Sequence, residues 1–207
     1  LNELVDAENS ALLSRKTVPL TFPHRGEKKR LLQLASQNVH SFAQEWERQR
    51  TNEEKSLFDL QKIFHLAKPP RAIECFDISN IGGEYAVGSK VSFIDGKPDK
   101  ARYRRYKIRT VEGANVFAMM DEVLYRRFLK VAEDPLPDFV LIDGGKGQLK
   151  VAADVLYREH QLTQCTLASI AKERRLHGEK TSVERFFIPG RKNAIIAPDH
   201  SPGRLLL

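Results

Sequence analysis

The chain has 207 residues, of which 41% are hydrophobic and two are cysteine, and 34 Lys and Arg against 27 Asp and Glu give a formal net charge of +7. That length and apolar content suit one sizeable domain with an appendage, or two small ones, and no apolar run approaches the roughly 20 residues of a membrane-spanning helix. Cys75 and Cys165 lack metal-ligand spacing and read as reduced thiols of a cytoplasmic protein, which excludes a disulfide scaffold and a thiolate zinc site, while the positive charge favours an anionic partner or is simply a solvated basic surface.

Residues 1–24 are mixed, with a strand-like stretch at 17–22 before Pro23. From Gly26, Leu31, Ala35, Val39, Phe42 and Trp46 step by three and four, which predicts an amphipathic helix. Thr51-Asn52-Glu53-Glu54 reads as a helix restart, a cap residue before two acids. The second helix would carry Leu57, Leu60, Ile63 and Phe64, and Pro69-Pro70 closes it. These signals predict a helical lead-in over residues 1–69 and a compact domain over 70–207. The final Leu205-Leu206-Leu207 falls inside an amphipathic pattern, so the chain is expected to be a fragment of something longer.

Within the compact domain, 72–79 is a mostly apolar strand with embedded carboxylates, and Ile81-Gly82-Gly83 turns the chain. A strand over 85–94 follows, then the turn signal Asp95-Gly96-Lys97-Pro98 and a returning strand over 101–108. Residues 114–131 are helical, with Val116, Met120, Val123, Arg127 and Val131 on one stripe. Phe139 to Ile142 is an unbroken apolar run bounded by proline and glycine, the mark of a strand buried on both faces. Gly144, Gly145 and Gly147 permit a sharp turn, and Leu149, Ala152, Ala153, Val155 and Leu156 then follow helical spacing. A further strand is expected at 166–171 and a hairpin around Pro189-Gly190. Three strands, helix, strand, helix, strand is the order of an α/β, ribonuclease H-like mixed sheet, a three-strand meander whose first strand lies beside later parallel ones.

In that topology the strands bearing Asp77 and Asp143 are neighbours, although 143 − 77 = 66 positions separate them. Two carboxylates brought close repel unless a divalent cation lies between them, and oxygen ligands of this kind suit magnesium or manganese. Such a site can activate water against a phosphodiester. The other reading stays open: one acid caps the following helix and the other is salt-bridged. Lys146 in the glycine turn does not make a nucleotide loop, because Gly147 stands where Ser or Thr is required; it meets a phosphate or is solvated. Arg102-Tyr103-Arg104-Arg105-Tyr106-Lys107-Ile108-Arg109 is the most basic stretch. It offers phosphate contacts through Arg104, Arg105, Lys107 and Arg109, or is an edge strand protected by charge. Lys172, Arg174, Arg175, Arg191 and Lys192 add to the basic total. Asp121 and Glu122 are read as solvated helix residues.

Ile73-Glu74-Cys75-Phe76-Asp77-Ile78-Ser79-Asn80, Tyr103-Arg104-Arg105-Tyr106 and Pro137-Asp138-Phe139-Val140-Leu141-Ile142-Asp143-Gly144-Gly145-Lys146-Gly147-Gln148 together closely resemble the UvrC family, nuclease subunits of bacterial nucleotide excision repair. Arg25-Gly26-Glu27-Lys28-Lys29 resembles the family's lead into its carboxyl-terminal nuclease domain. The resemblance implies a magnesium- or manganese-dependent endonuclease making the 5′ incision in damaged double-stranded DNA, beside a UvrB-type repair helicase bound at the lesion. It also implies that Asp77 and Asp143 are two of the catalytic, metal-holding carboxylates.

Two departures stand out. The family has an acidic pair, in a pattern like Asp-Asp-Tyr, where this chain has Asn115-Val116-Phe117, and Val116 cannot bind a metal. The family's histidine, in an Arg-Asp-Glu-x-His segment, falls past residue 207, as does its helix-hairpin-helix module; His200 belongs to the preceding Pro-Asp-His-Ser-Pro loop and is not promoted. The expectation for the chain is metal and DNA binding with impaired cutting. The rival expectation is a non-catalytic DNA-binding or assembly module of the repair complex.

Overall fold

The structure is a computed structural model and describes residues 22–79, 86–172, 184–198 and 200–207. The turn at Ile81-Gly82-Gly83, Arg174, Arg175 and, but for Phe22, the strand expected over 17–22 lie outside the described residues. By its contacts the chain divides into two units, Leu1–Arg48 and Gln49–Leu207.

Helix α1 spans Gly26–Phe64 without a break, so the restart expected at Thr51-Asn52 does not occur. Neither residue is a proline or glycine, and Ser56 Oγ–H donates to the Asn52 carbonyl one turn back (3.0 Å), as hydroxyls do inside helices. In the first unit, Leu31, Val39, Phe42 and Trp46 are exposed. In the second, the end of α1 buries Leu57, Leu60 and Phe64.

The remaining elements are β1 (Ala72–Ser79), β2 (Val87–Ile94), β3 (Lys97–Pro98), β4 (Arg104–Lys107), α2 (Val116–Phe128), β5 (Phe139–Asp143), α3 (Lys146–Ala153), β6 (Thr166–Lys172), β7 (Glu184–Phe187) and α4 (Pro202–Leu206). α3 widens into a π-helical stretch, Asp154–Glu159. The sheet runs β3-β2-β1-β5-β6-β7, with β4 also paired to β2. β1 pairs antiparallel with β2 and parallel with β5, and β5 pairs parallel with β6. This is the expected ribonuclease H-like mixed sheet. β5 lies between parallel neighbours, and its four apolar residues are all buried, as a strand covered on both faces requires.

The returning strand is shorter than its sequence suggests. Asp99 Oδ1 accepts the Ala101 N–H (3.2 Å) and opens a 3-10 turn, Lys100–Arg102, so Arg102 leaves the strand and β4 begins at Arg104. The hairpin around Pro189-Gly190 reduces to β7 and a single antiparallel bridge, Phe186 to Ile195.

One sheet face packs Phe76, Val140, Ile142 and Leu167 against Met120, Val123, Leu124 and Phe128 of α2 and Leu149, Ala152 and Leu156 beyond it. The other packs Ile73, Phe139, Leu141, Ala168 and Phe186 against Leu57, Leu60 and Phe64; each such large side chain contributes about 1.5–3 kcal/mol. α2 crosses β2 at Gly88, where a Cβ would sit 2.5 Å from Val123 Cγ2, so only glycine lets the helix lie that close.

An ion cluster is sealed between β1, β2 and α2. Glu74 Oε1 accepts from Lys90 Nζ (2.9 Å) and Arg127 Nη2 (2.8 Å), and Asp134 accepts from Lys90 (3.0 Å). Glu74, Lys90 and Arg127 are all buried. Charges so deep are tolerable only when paired in this way.

Candidate active site

The register of β1 and β5 pairs Phe76 with Ile142, so the next residue on each strand, Asp77 and Asp143, lies at the same carboxyl-terminal edge of the sheet. Side chains alternate along a strand, which puts both carboxylates on the face that carries Cys75 and Leu141. Asp77 is opposite Ser89 on β2, and Ser89 is opposite Arg105 on β4. The sheet therefore presents one row: Asp143, Asp77, Ser89, Arg105.

Asp77, Ser89 and Asp143 line a cavity of about 270 Å³, with Cys75, Glu184 and Arg204 among its other walls. The Ser79 hydroxyl donates to Asp77 Oδ2 (2.8 Å) and orients that carboxylate. Asp77 is half-buried and Asp143 exposed. Burial, together with the Glu74 and Asp143 charges, pushes the Cys75 thiol up to about 12.

Glu184 and Arg204 are the site residues that sequence reading missed. Glu184 opens β7, two strands from Asp143, and Arg204 Nε donates to its Oε2 (2.9 Å). α4 is anchored by the Ser201 hydroxyl, which accepts from the Arg204 N–H (3.1 Å), and by Asp59, which accepts from the Gly203 N–H (2.9 Å). No motif marks these residues; Glu184 is placed by the pairing of β6 with β7 and Arg204 by the docking of α4 on Asp59.

Among the described residues no three His, Cys, Asp and Glu side chains converge as a metal-binding group. The donor set nonetheless fits magnesium or manganese, which is commonly held by one or two carboxylates and keeps several waters. Asp77 and Asp143, on adjoining strands in a solvent-reached cavity, are such a pair. The N-cap of α3 is Gly145, whose N–H donates to Gln148 Oε1 (2.9 Å), so Asp143 stands two residues ahead of the cap position.

Of the basic residues, Arg105 and Lys107 are exposed on one side of β4, with Arg104 on the other. Arg104 Nη1 donates to the Ala101 and Tyr103 carbonyls (both 2.8 Å). Arg109 lies beyond the strand. Lys146 Nζ donates to the Lys192 carbonyl (2.9 Å) and lies over the Phe187 ring. Asn115 caps α2, its Oδ1 accepting from the Ala118 N–H (3.1 Å), and Val116 is the first helical residue. His200 is exposed in the turn before α4.

Glu122 corrects the solvated reading. It is buried, and its carboxylate accepts from the Arg109 N–H (3.0 Å) and from the Thr110 N–H and hydroxyl (2.9 and 2.7 Å). An i,i+4 ion pair with Arg126 (3.0 Å) completes it.

The family model for the UvrC RNase H endonuclease domain matches residues 61–207. UvrABC system protein C of Geobacter metallireducens is 46% identical over 198 residues, covering 93% of this chain and 32% of that protein. The same protein of Geotalea daltonii is 45% identical over 201 residues, covering 94% of this chain and 32% of its own length. The chain thus spans about a third of the length of these relatives.

Proposed function

The chain belongs to the UvrC RNase H endonuclease domain family, and from that premise we propose that it cuts damaged double-stranded DNA on the 5′ side of a lesion in bacterial nucleotide excision repair. The observation that carries the reading is the adjacency of Asp77 and Asp143 at the ends of two neighbouring parallel strands, in one cavity. Magnesium or manganese, when bound, supplies Lewis acidity toward the phosphodiester and a more acidic water.

The chain's own residues do the rest. Asp77 and Asp143 hold the cation, and Ser79 fixes the Asp77 carboxylate. Arg105, in the same row, and Lys107 meet backbone phosphates and set the strand's register, contacts that position DNA without reading its sequence. Hydrolysis leaves a 3′ hydroxyl and a 5′ phosphate. Residues 70–207 form the nuclease domain and 1–69 its helical lead-in. The partner is a UvrB-type helicase at the lesion, and the setting is the cytoplasm.

One observation favours the second reading, a non-catalytic DNA-binding or assembly module: Asn115 and Val116 occupy the start of α2 and bring no carboxylate to it. The two readings separate in the full-length protein that carries this chain. Asp77→Asn or Asp143→Asn abolishes the 5′ nick and spares the 3′ nick if the domain is the 5′ nuclease. Normal 5′ cutting by either variant overturns the assignment.

A further inference from the structure

A second cavity, of about 700 Å³, opens on the α2 side of the sheet, within the size range of pockets that hold small organic groups. Phe117, Asp121 and Tyr125 line it from one face of α2, four residues apart, and Arg109, Thr110 and Arg126 line it from the side. Phe117 and Tyr125 are 51% and 43% exposed, a paired aromatic surface presented to solvent rather than to the core.

The wall is rigid. Glu122 clamps the backbone at Arg109 and Thr110, and Arg126 Nη1 donates both to the Lys107 carbonyl (2.8 Å) and to Glu122 (3.0 Å). Arg109 and Arg126 adjoin Arg104, which lies on the α2 side of β4, so an anionic backbone that reaches the mouth runs along Arg104. The other end borders the catalytic turn. Phe117 rests on Gly147, where an added Cβ would stand 2.6 Å from the ring, and Gly147 is four residues beyond Asp143.

Flat apolar faces, polar groups at the edge (Thr110, Asp121) and cations at the mouth describe the complement of a nucleotide. A free protein side chain would use the aromatic faces and leave Arg109 unanswered. We infer that this cavity receives one or two nucleobases swung out of the DNA strand that feeds the Asp77–Asp143 site, each stacked on Phe117 or on Tyr125, with Arg109 on the adjoining phosphate. The inference rests on the nuclease reading and adds to it a means of gripping distorted DNA. Unstacking a base is least costly where the duplex is already damaged or mismatched, so the pocket favours the neighbourhood of a lesion.

The test uses this chain and a duplex with an unpaired bubble, in which 2-aminopurine is placed at each bubble position in turn. Anisotropy of a dye on the same duplex reports binding, and manganese affinity is measured in parallel. The expected result is a fluorescence change confined to one or two positions. Tyr125→Ala and Phe117→Leu each weaken binding about tenfold, and the loss disappears when the responding base is replaced by an abasic site. Both variants keep the parent's manganese affinity. Binding without a fluorescence change at any position, or variants that bind as the parent does, overturns the pocket and leaves the nuclease reading standing. A parent that binds no DNA overturns both.

Discussion

Asp77 follows Phe76 as Asp143 follows Ile142, and Phe76 and Ile142 are partners in the parallel pairing of β1 with β5. Two acids 66 positions apart in the chain are thereby held one strand spacing from each other. Their mutual repulsion is a cost that a cation relieves, and the cavity they share admits one. Arg105, two strands from Asp77 in the same row, places a cationic side chain on that face.

Arg105→Ala is expected to weaken DNA binding and to make its salt dependence shallower, by about 0.9 in the slope of log affinity against log salt for one lost phosphate contact. Titrations at several salt concentrations give that slope. An unchanged slope returns β4 to the role of a charge-protected edge.

Glu74→Ala strands Lys90 and Arg127, two buried cations, with Asp134 as their remaining acidic partner. The expected loss of stability is about 3–5 kcal/mol, read from urea unfolding. A loss below about 1 kcal/mol would mean that the cluster relaxes or admits water and contributes little.

Glu122 and Asp138 contribute to the pH dependence of stability. Burial alone would raise the Glu122 pKa, but hydrogen bonds from Thr110, Arg109 and Arg126 outweigh it, and the pKa is lowered. At Asp138 burial is likewise outweighed, by Lys68 and the Ala72 and Arg71 N–H groups. Both folded values lie below the unfolded ones, roughly 4.3 for Glu and 3.9 for Asp. Their contribution is therefore complete above those values and is lost as pH falls through the folded ones. Unfolding midpoints measured from about pH 7 down to about pH 3 should fall steeply at the acid end, and Glu122→Gln should flatten that fall. An equally steep fall in Glu122→Gln would contradict the assignment.

The sequence carried the sheet order and the placement of the two aspartates on neighbouring strands well, because β5 is apolar enough to read as a doubly covered strand and its glycines mark where it ends. It carried the edges poorly. The 3-10 turn at Lys100–Arg102 depends on a single side-chain bond from Asp99, invisible to strand patterning. Glu122 looked solvated because its partners are backbone groups of Arg109 and Thr110, which no side-chain pattern reveals. Glu184 and Arg204 meet across the fold, and α1 runs through Thr51 because a good capping residue does not by itself break a helix. Pairing between residues distant in the chain placed Glu122, Glu184 and Arg204, and local propensity has no access to it.

The most direct test is manganese binding by calorimetry to this chain, beside Asp77→Ala and Asp143→Ala forms shown to be folded. The account predicts that the parent binds and that either substitution removes binding, since both carboxylates serve one site. Binding that survives both substitutions, or a folded parent that binds no manganese, would contradict it.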